Sequence, residues 1–269
     1  MADTAHDASR KAATPPPATA PIASRDPFGE IDTVPLSKIQ RLTGAFLARS
    51  WSSIPHVTHQ DEADVSWIEA LRLRMRAEHP ASRASLLSFV VKAVAVALGE
   101  FPQFNASLSP DGETLVLKKY VHIGVAVDTP AGLLVPVVRD CDRLDVEEIA
   151  AEIAAVSVRA REKGLPMAAM QGGCFTISSL GAKGGTGFTP IINAPEVAIL
   201  GISRVVERPV RGAANGVDWR LTLPLSLSYD HRVINGAQAA SFVTRLRKLL
   251  ASSESLAGHT HSRQDQSRG

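Results

Sequence analysis

The clearest alternation of apolar and polar positions lies in WRLTLPLSLSY, residues 219–229. Every second position from Leu221 to Tyr229 carries a large apolar side chain, and the positions between them carry threonine, proline or serine. Successive side chains of a strand point to opposite faces, so this pattern predicts one long strand with a single apolar face. The Asn215–Gly216 pair before it predicts a hairpin turn that leads into this strand.

Four segments have the composition and spacing of helices. Residues 66–79 are amphipathic, whereas 86–98 are almost wholly apolar and predict a buried helix. Asp145 with Glu148 three residues later matches a capping box and predicts a third helix start. Residues 237–250 follow the long strand and place one apolar side toward the core, formed by Ala239, Phe242, Val243 and Leu246.

Shorter runs of branched and aromatic residues predict the remaining strands. Residues 121–127 and 133–138 each read as one strand, joined by a turn at 128–132. Residues 173–179 and 195–203 read as two more. Because helices and strands do not alternate regularly, the order argues against a doubly wound parallel sheet and predicts an α+β fold.

Both ends of the chain lack this periodicity. Residues 1–27 are rich in alanine, proline and threonine, which predicts a disordered arm or a linker remnant. Residues 252–269 are polar and predict a disordered tail. We therefore expect one globular domain at 28–251.

Composition narrows the classes of function. The chain has 269 residues, 45% of them hydrophobic, which is sufficient for a large core. Its 29 basic and 27 acidic residues give a net charge of +2, which argues against a nucleic-acid-binding protein. The two cysteines form no metal motif, and no apolar run reaches the roughly 20 residues that span a bilayer. We expect a cytoplasmic protein that has no membrane or nucleic-acid partner.

His231 is the first candidate for chemistry, because it follows the long strand directly and precedes the turn sequence RVING. A strand end is a rigid platform on which a general base is useful. The alternative is a partly buried structural histidine bonded to the backbone, and periodicity alone favours that alternative.

Ser178 and Ser179 end the strand CFTISS before the glycine-bearing loop SLGAKGGTGFTP. A hydroxyl there can be a nucleophile, an oxyanion donor or a strand cap. The loop lacks the Gly-Lys-Ser/Thr ending of a phosphate-binding loop, so its glycines more simply permit a close approach of backbone or ligand.

Other polar residues carry weaker signals. His56 and His59 lie three apart and face opposite sides of a strand, so we expect no shared metal. Cys174 reads as a packed thiol. The pair Lys118–Lys119 could meet a phosphate, but a solvated basic pair is the default interpretation.

Several long motifs together resemble the catalytic domain of the acyltransferase component of 2-oxo acid dehydrogenase complexes. The resemblance is strongest to the bacterial pyruvate dehydrogenase, or acetyltransferase, type. It covers about residues 28–250 in the family's order. The matching stretches are FGEIDTVPLSKIQ, IPHVTHQDEAD, FPQFNASLSPDG, LKKYVHIGVAVDTPAGLLVPV, MQGGCFTISSLG, FTPIINAPEVAILGIS and LPLSLSYDHRVING.

The resemblance implies a chloramphenicol-acetyltransferase-like fold, with a mixed sheet, flanking helices and active sites between the subunits of a trimer. The family's DHRxxDG motif falls on residues 230–236, with Asn235 where most members have aspartate. Its active-site serine falls on Ser178 rather than Ser179.

The implied reaction moves an acetyl group between the thiols of dihydrolipoamide and coenzyme A. His231 would then act as the general base, Ser178 as the oxyanion donor without forming an acyl-serine, and Asn235 as the residue that holds the local turn and the imidazole. Acetyl-CoA would be a substrate, the lipoyl group would come from another chain, and no metal would be needed.

No lipoyl domain and no small partner-binding domain is recognisable in this sequence. Either the lipoyl domain lies on another polypeptide, or this sequence is a shortened piece of a longer chain. We expect a lipoyl-bearing protein and the other components of such a complex as partners. An architectural core subunit with little catalysis, and a free acyltransferase for another small acceptor, stay open as alternatives. The polar tail, in which Leu256 is the one large aliphatic residue, predicts a homotrimer that does not close into a larger core.

Overall fold

The computed structural model describes residues 25–130, 132–213 and 216–252. A short N-terminal unit ends at Leu36, and the main unit begins at Ser37. In the N-terminal unit Arg25–Asp26 (β1) pairs with Gly29–Glu30 (β2) in an antiparallel arrangement. Most of the predicted arm and nearly all of the predicted tail, with Leu256, lie outside the described residues.

Five α-helices occur within the described part of the main unit. Four of them begin with a reciprocal capping box, in which side chains satisfy amides that the first helical turn leaves unbonded. The predicted helices at 66–79, 86–98, 145 onward and 237–250 are confirmed, whereas the first helix was not predicted. The helices are α1 (Lys38–Ser53), α2 (Ser66–Glu78), α3 (Leu86–Glu100), α4 (Val146–Lys163) and α5 (Gly236–Ala251).

The strands of the main unit form one large sheet and two small hairpins among the described residues. They are β3 (His56–Asp64), β4 (Ala106–Leu108), β5 (Leu115–Leu117), β6 (Ile123–Val125), β7 (Val127–Thr129), β8 (Gly132–Leu134), β9 (Val137–Val138), β10 (Phe175–Ser179), β11 (Ala198–Ile202), β12 (Val206–Arg211) and β13 (Val217–Asp230).

The large sheet has seven strands in the order β12-β13-β11-β10-β6-β9, and β3 pairs with β13 as well. The pairs β10–β11 and β10–β6 are parallel, whereas the pairs that β13 makes are antiparallel. The predicted α+β class with a mixed sheet is therefore confirmed. The β12–β13 pairing also confirms the predicted hairpin, although Asn215 itself lies outside the described residues.

The predicted strands at 121–127 and 133–138 are each broken in two, so this prediction was wrong in detail. The two segments stay paired with each other in one register, from Ile123–Val138 in β6–β9 to Thr129–Gly132 in β7–β8, but the ladder is interrupted between these two pairs of strands. Between β6 and β7 the amide of Ala126 donates instead to the carbonyl of Ile177 in β10, at 3.0 Å. Pro136 has no amide hydrogen with which to continue a ladder, which enforces the second break.

The core lies on the face of the sheet covered by α3 and α5. Phe104 and Phe242 stack there with ring centroids 4.2 Å apart, and the odd-numbered leucines of β13 join them. Each such side chain contributes about 1.5–3 kcal/mol when buried. From Thr222 onward the other face of β13 is buried as well, because Ser226 and Ser228 are 1% and 0% exposed, whereas the strand's first four residues are exposed. This long strand is therefore fixed from both sides.

Candidate active site

His231 stands immediately beyond the end of β13. Its amide donates to the carbonyl of Pro55 at 3.0 Å, which extends the β3–β13 ladder by one residue. Its ring is exposed, lies 6.0 Å from the ring of Tyr229, and makes no hydrogen bond to the described residues. The backbone is thus fixed while both ring nitrogens stay accessible. The alternative of a partly buried structural histidine is wrong for this chain.

The residues on either side of His231 form a tight ionic turn. Asp230 is 2% exposed, and its carboxylate accepts from the Arg232 guanidinium at 3.0 and 2.6 Å and from the Arg232 amide at 3.0 Å. These bonds raise the pKa of Arg232 above its ordinary value. Sequence reasoning had assigned neither residue a role, although a carboxylate and a guanidinium two residues apart were a visible signal.

Asn235 is the N-cap of α5. Its side-chain oxygen accepts from the amide of Gln238 at 2.9 Å, and the Gln238 side chain accepts from the amide of Asn235 at 3.0 Å. An N-cap of this kind is worth about 1 kcal/mol. The side chain therefore holds the turn between β13 and α5, and it makes no hydrogen bond to the His231 ring among the described residues.

Ser178 lies near the end of β10 and is half-buried, and its hydroxyl makes no hydrogen bond to the described residues. It shares a face of the sheet with Thr176 and is paired in register with Gly201 of β11. Ser179 points to the opposite face. The ring of Phe188 packs over Gly201, so the space beside Ser178 on that strand is filled. A hydroxyl that makes no hydrogen bond to the described residues can donate to a bound ligand.

The pairing register places His231 and Ser178 at opposite ends of the sheet. Ser178 is level with Gly201, which is level with Ser226 on β13. His231 lies five residues further along β13, roughly 17 Å, and two strands across, roughly 10 Å, so the two Cα atoms are about 20 Å apart. One small carbonyl group cannot contact both side chains of the same chain.

Comparison with protein families decides what kind of domain this is. The chain matches the family described as 2-oxoacid dehydrogenases acyltransferase (catalytic domain) over residues 28–257. The chain belongs to this family. The resemblance to this family, expected over about residues 28–250, is confirmed.

Curated relatives of this acyltransferase domain are dihydrolipoyllysine-residue acetyltransferase components of pyruvate dehydrogenase complexes. The protein of Pseudomonas aeruginosa is 54% identical over 226 residues, which are 83% of this chain and 41% of that protein. That of Cupriavidus necator is 53% identical over 226 residues, which are 83% of this chain and 40% of that protein. The chain spans about two fifths of the length of these relatives.

Solved structures agree with this membership. The dihydrolipoamide acetyltransferase of Azotobacter vinelandii, studied for the role of a serine, a histidine and an asparagine in its catalytic mechanism, is 49% identical with a TM-score of 0.83. It covers 91% of this chain and 100% of that one. The cubic core of a pyruvate dehydrogenase complex matches equally well, at 49% identity, a TM-score of 0.83 and the same coverage.

A chloramphenicol acetyltransferase matches with a TM-score of 0.52 at 17% identity, covering 77% of this chain and 94% of that one. At that identity the likeness concerns the fold alone. The expected chloramphenicol-acetyltransferase-like fold is confirmed.

The sequence also singled out two cysteines and the lysine pair at 118–119. The thiols of Cys141 and Cys174 are buried and free, and burial raises the pKa of Cys141 to about 12. Lys118 is not a solvated side chain as expected, because its ammonium donates to the carbonyl of Gly173 at 3.0 Å. Lys119 is exposed, so the interpretation as a solvated pair holds for only one of the two lysines.

The described residues contain no group of three or more His, Cys, Asp or Glu side chains that could hold a metal ion. They also contain no helix with the length and hydropathy needed to cross a bilayer. His56 and His59 face opposite sides of β3, as their spacing predicts.

Glu196 is a buried group that sequence reasoning missed. It is 4% exposed, and burial raises the pKa of its carboxyl to about 7. One oxygen accepts from the Asn193 amide at 3.2 Å, whereas the other makes no hydrogen bond within the described residues. No local pattern could have revealed it, because its burial depends on the packing of β10 and of the loop before β11.

Proposed function

We propose that this domain transfers an acetyl group between the thiols of dihydrolipoamide and coenzyme A. The observation that carries the proposal is an exposed imidazole on a fixed backbone, His231, in a family whose reaction needs a base for a thiol. The relatives are named as acetyltransferases of pyruvate dehydrogenase complexes, which supports acetyl as the group transferred.

In the proposed reaction His231 takes the proton of the attacking thiol. Between a free thiol, with a pKa of about 8.5, and a free imidazole, with a pKa of about 6.5, such a transfer costs roughly 2.7 kcal/mol, which is small enough for general base catalysis. The new thiolate forms a carbon–sulfur bond with the thioester carbonyl. The tetrahedral oxyanion then expels the other sulfur as a thiolate, which recovers the proton from the imidazolium.

We assign the stabilisation of that oxyanion to Ser178. Its hydroxyl makes no hydrogen bond to the described residues, so it can turn toward a developing negative charge without breaking a bond to them. Oxyanion donors of this kind are typically worth about 10²–10³ in rate. Because the thiolate attacks the carbonyl directly, no acyl-serine forms.

The structure of the Azotobacter relative supports the choice of residues. The mechanistic histidine and asparagine of that enzyme lie four positions apart, as His231 and Asn235 do here. A serine completes its trio. Neither Ser178 nor Ser179 makes a side-chain hydrogen bond to the described residues, and the match to the family's FTIS segment favours Ser178.

The separation of His231 from Ser178 supports a site shared between subunits. If both act on one carbonyl, the His231 end of one chain must approach the Ser178 end of another. Because the two ends differ, the contact is head-to-tail, and a head-to-tail contact that closes forms a ring. We propose a homotrimer, and the cubic core formed by a relative is consistent with cyclic assembly in this family.

We further propose a lipoyl-bearing chain and the other components of the complex as partners, and a cytoplasmic location. Coenzyme A is then a substrate rather than a resident cofactor. An architectural subunit would not require an accessible imidazole, and no observation here favours that alternative or a free acyltransferase.

The test is acetyl transfer from acetyl-CoA to free dihydrolipoamide by the purified chain. Propionyl-CoA and succinyl-CoA are compared at equal concentration. We expect the highest kcat/KM with acetyl-CoA. No transfer to dihydrolipoamide from any of the three would contradict the proposed function, and a preference for succinyl would contradict the acetyl assignment.

A further inference from the structure

The ring of His56 connects two backbone segments through both of its nitrogens. Nδ1 lies 2.8 Å from the carbonyl oxygen of Ile54, and Nε2 lies 3.0 Å from the amide nitrogen of Ile192. A carbonyl can only accept and an amide can only donate, so Nδ1 carries the hydrogen and Nε2 presents its lone pair. The two neighbours therefore specify one neutral tautomer.

These two segments are the ones that hold the end of β13. The amide of His231 donates to the carbonyl of Pro55 at 3.0 Å, directly between Ile54 and His56. On the other edge of the strand, the amide of Asp230 donates to the carbonyl of Val197 at 2.8 Å. The His56 ring therefore connects the segment that contains Pro55 to the loop that leads to Val197.

The loop side of this connection is itself well fixed. Ile192 is fully buried in a small cluster with Ile54 and Ile199. The next residue, Asn193, donates from its side chain to Glu196 at 3.2 Å. The Ile192 amide therefore has a fixed position, and its bond to the His56 ring restrains the neighbouring residue, Pro55.

We propose that His56 is a positioning residue for His231. It touches no substrate in this assignment, which rests on the proposed function, and it acts by keeping the Pro55 carbonyl where the His231 amide requires it. A general base must be held to about 0.5 Å and 10–20°, and a displacement of about 1 Å can cost 10²-fold in rate. His59, three residues on, faces the other side of β3 and is not part of this connection.

Three substitutions at position 56 separate the two bonds. His56→Leu fills the volume and removes both bonds. His56→Asn keeps a donor near the Nδ1 position but cannot reach Ile192, whereas His56→Gln can offer an acceptor near the Nε2 position. We expect His56→Leu and His56→Asn to lower kcat about 10- to 100-fold with KM within about twofold, and His56→Gln to recover most of the loss.

Thr58→Val is the matched control. It removes another side-chain bond between β3 and β13, the 2.8 Å contact of Thr58 with Ser228, but this bond does not support Pro55. We expect a loss of thermal stability similar to that of the position-56 variants, with kcat within about twofold of wild type.

The outcomes are distinguishable. If wild type transfers acetyl groups but folded His56→Leu and His56→Asn proteins keep full kcat, the positioning role is overturned and the proposed function survives. An equal fall of kcat in Thr58→Val overturns it too, because stability alone would then explain the effect. If the wild-type chain transfers nothing, the proposed function itself has failed.

Discussion

The two ends of the large sheet are built in opposite ways. At the His231 end, the last residues of β13 are held by the carbonyls of Pro55 and Val197, by the Asp230–Arg232 pair and by the Asn235 cap. At the Ser178 end, β10 leads into a loop in which Gly184 and Gly185 have φ of 92° and 86°. The hydroxyl of Ser178 has no bond to the described residues.

This difference matches the two proposed roles. A base must present one nitrogen along one direction, so its backbone requires many supports. An oxyanion donor needs only to rotate a hydroxyl, so a free side chain on a buried strand is enough. Because the two side chains are roughly 20 Å apart, each end of one chain would complete the opposite end of another.

The largest expected effect is that of His231→Ala. Without a base the thiol stays mostly protonated, so we expect kcat to fall about 10³- to 10⁴-fold, in the upper range for such catalysis. The ring is exposed, so thermal stability should change little. His59→Ala is the control, since it removes a histidine from β3, the strand paired with β13. Near-normal turnover of the folded His231→Ala protein would reject the assignment.

At the other end, Ser178→Ala should lower kcat by about 10²–10³ with a modest change in KM. Ser179→Ala, one residue on and facing the opposite side, should stay within about threefold of wild type. Mass spectrometry under turnover should find no acetyl group on Ser178. A trapped acetyl-serine would replace direct transfer by a covalent route.

Much of the His231 end was predictable from the sequence, because its signals are local. The alternation from Leu221 to Tyr229, the turn residues after Asp230 and the helical spacing from residue 237 onward fix a strand, a turn and a helix. The capping box at Asp145 was predictable for the same reason.

What sequence reasoning missed depends on contacts between distant segments. The break in the predicted strand at 121–127 lies where the amide of Ala126 donates to the carbonyl of Ile177 in β10, some fifty residues away. Lys92 lies in the almost wholly apolar α3, yet it is buried and donates to the carbonyls of Asp142 and Leu144 at 3.0 and 2.7 Å. The two bonds of His56 and the separation of His231 from Ser178 are likewise set by register, which no local pattern encodes.

A mixing experiment tests whether His231 of one chain and Ser178 of another form one active site. His231→Ala and Ser178→Ala chains, each nearly inactive, are coexpressed in equal amounts. In a head-to-tail trimer every mixed ring has one intact site of three, so we expect about a quarter of wild-type activity per chain. If His231 and Ser178 of one chain formed the site, the mixture would stay as inactive as its components.

The matched control for mixing combines wild-type chains with chains that carry both substitutions. A head-to-tail trimer then retains about a quarter of the activity, whereas sites within single chains would retain about half. Light scattering on the same samples checks that the mass is near three chains. A mixture without recovery would mean that the two ends do not meet.

The smallest expected effect is that of Asn235→Asp. An aspartate accepts the Gln238 amide as well as an asparagine does, and its charge at the helix N-terminus is favourable by about 0.3–1 kcal/mol. The neighbouring carboxylate, Asp230, is already bonded to Arg232, so the added charge meets no free anion there. We expect kcat within about threefold of wild type and a slightly higher melting temperature, whereas Asn235→Ala should cost about 1 kcal/mol of stability. A collapse of activity in a folded Asn235→Asp protein would show that the amide does more than cap α5. Its NH₂ group would then contribute to the contact with the neighbouring chain.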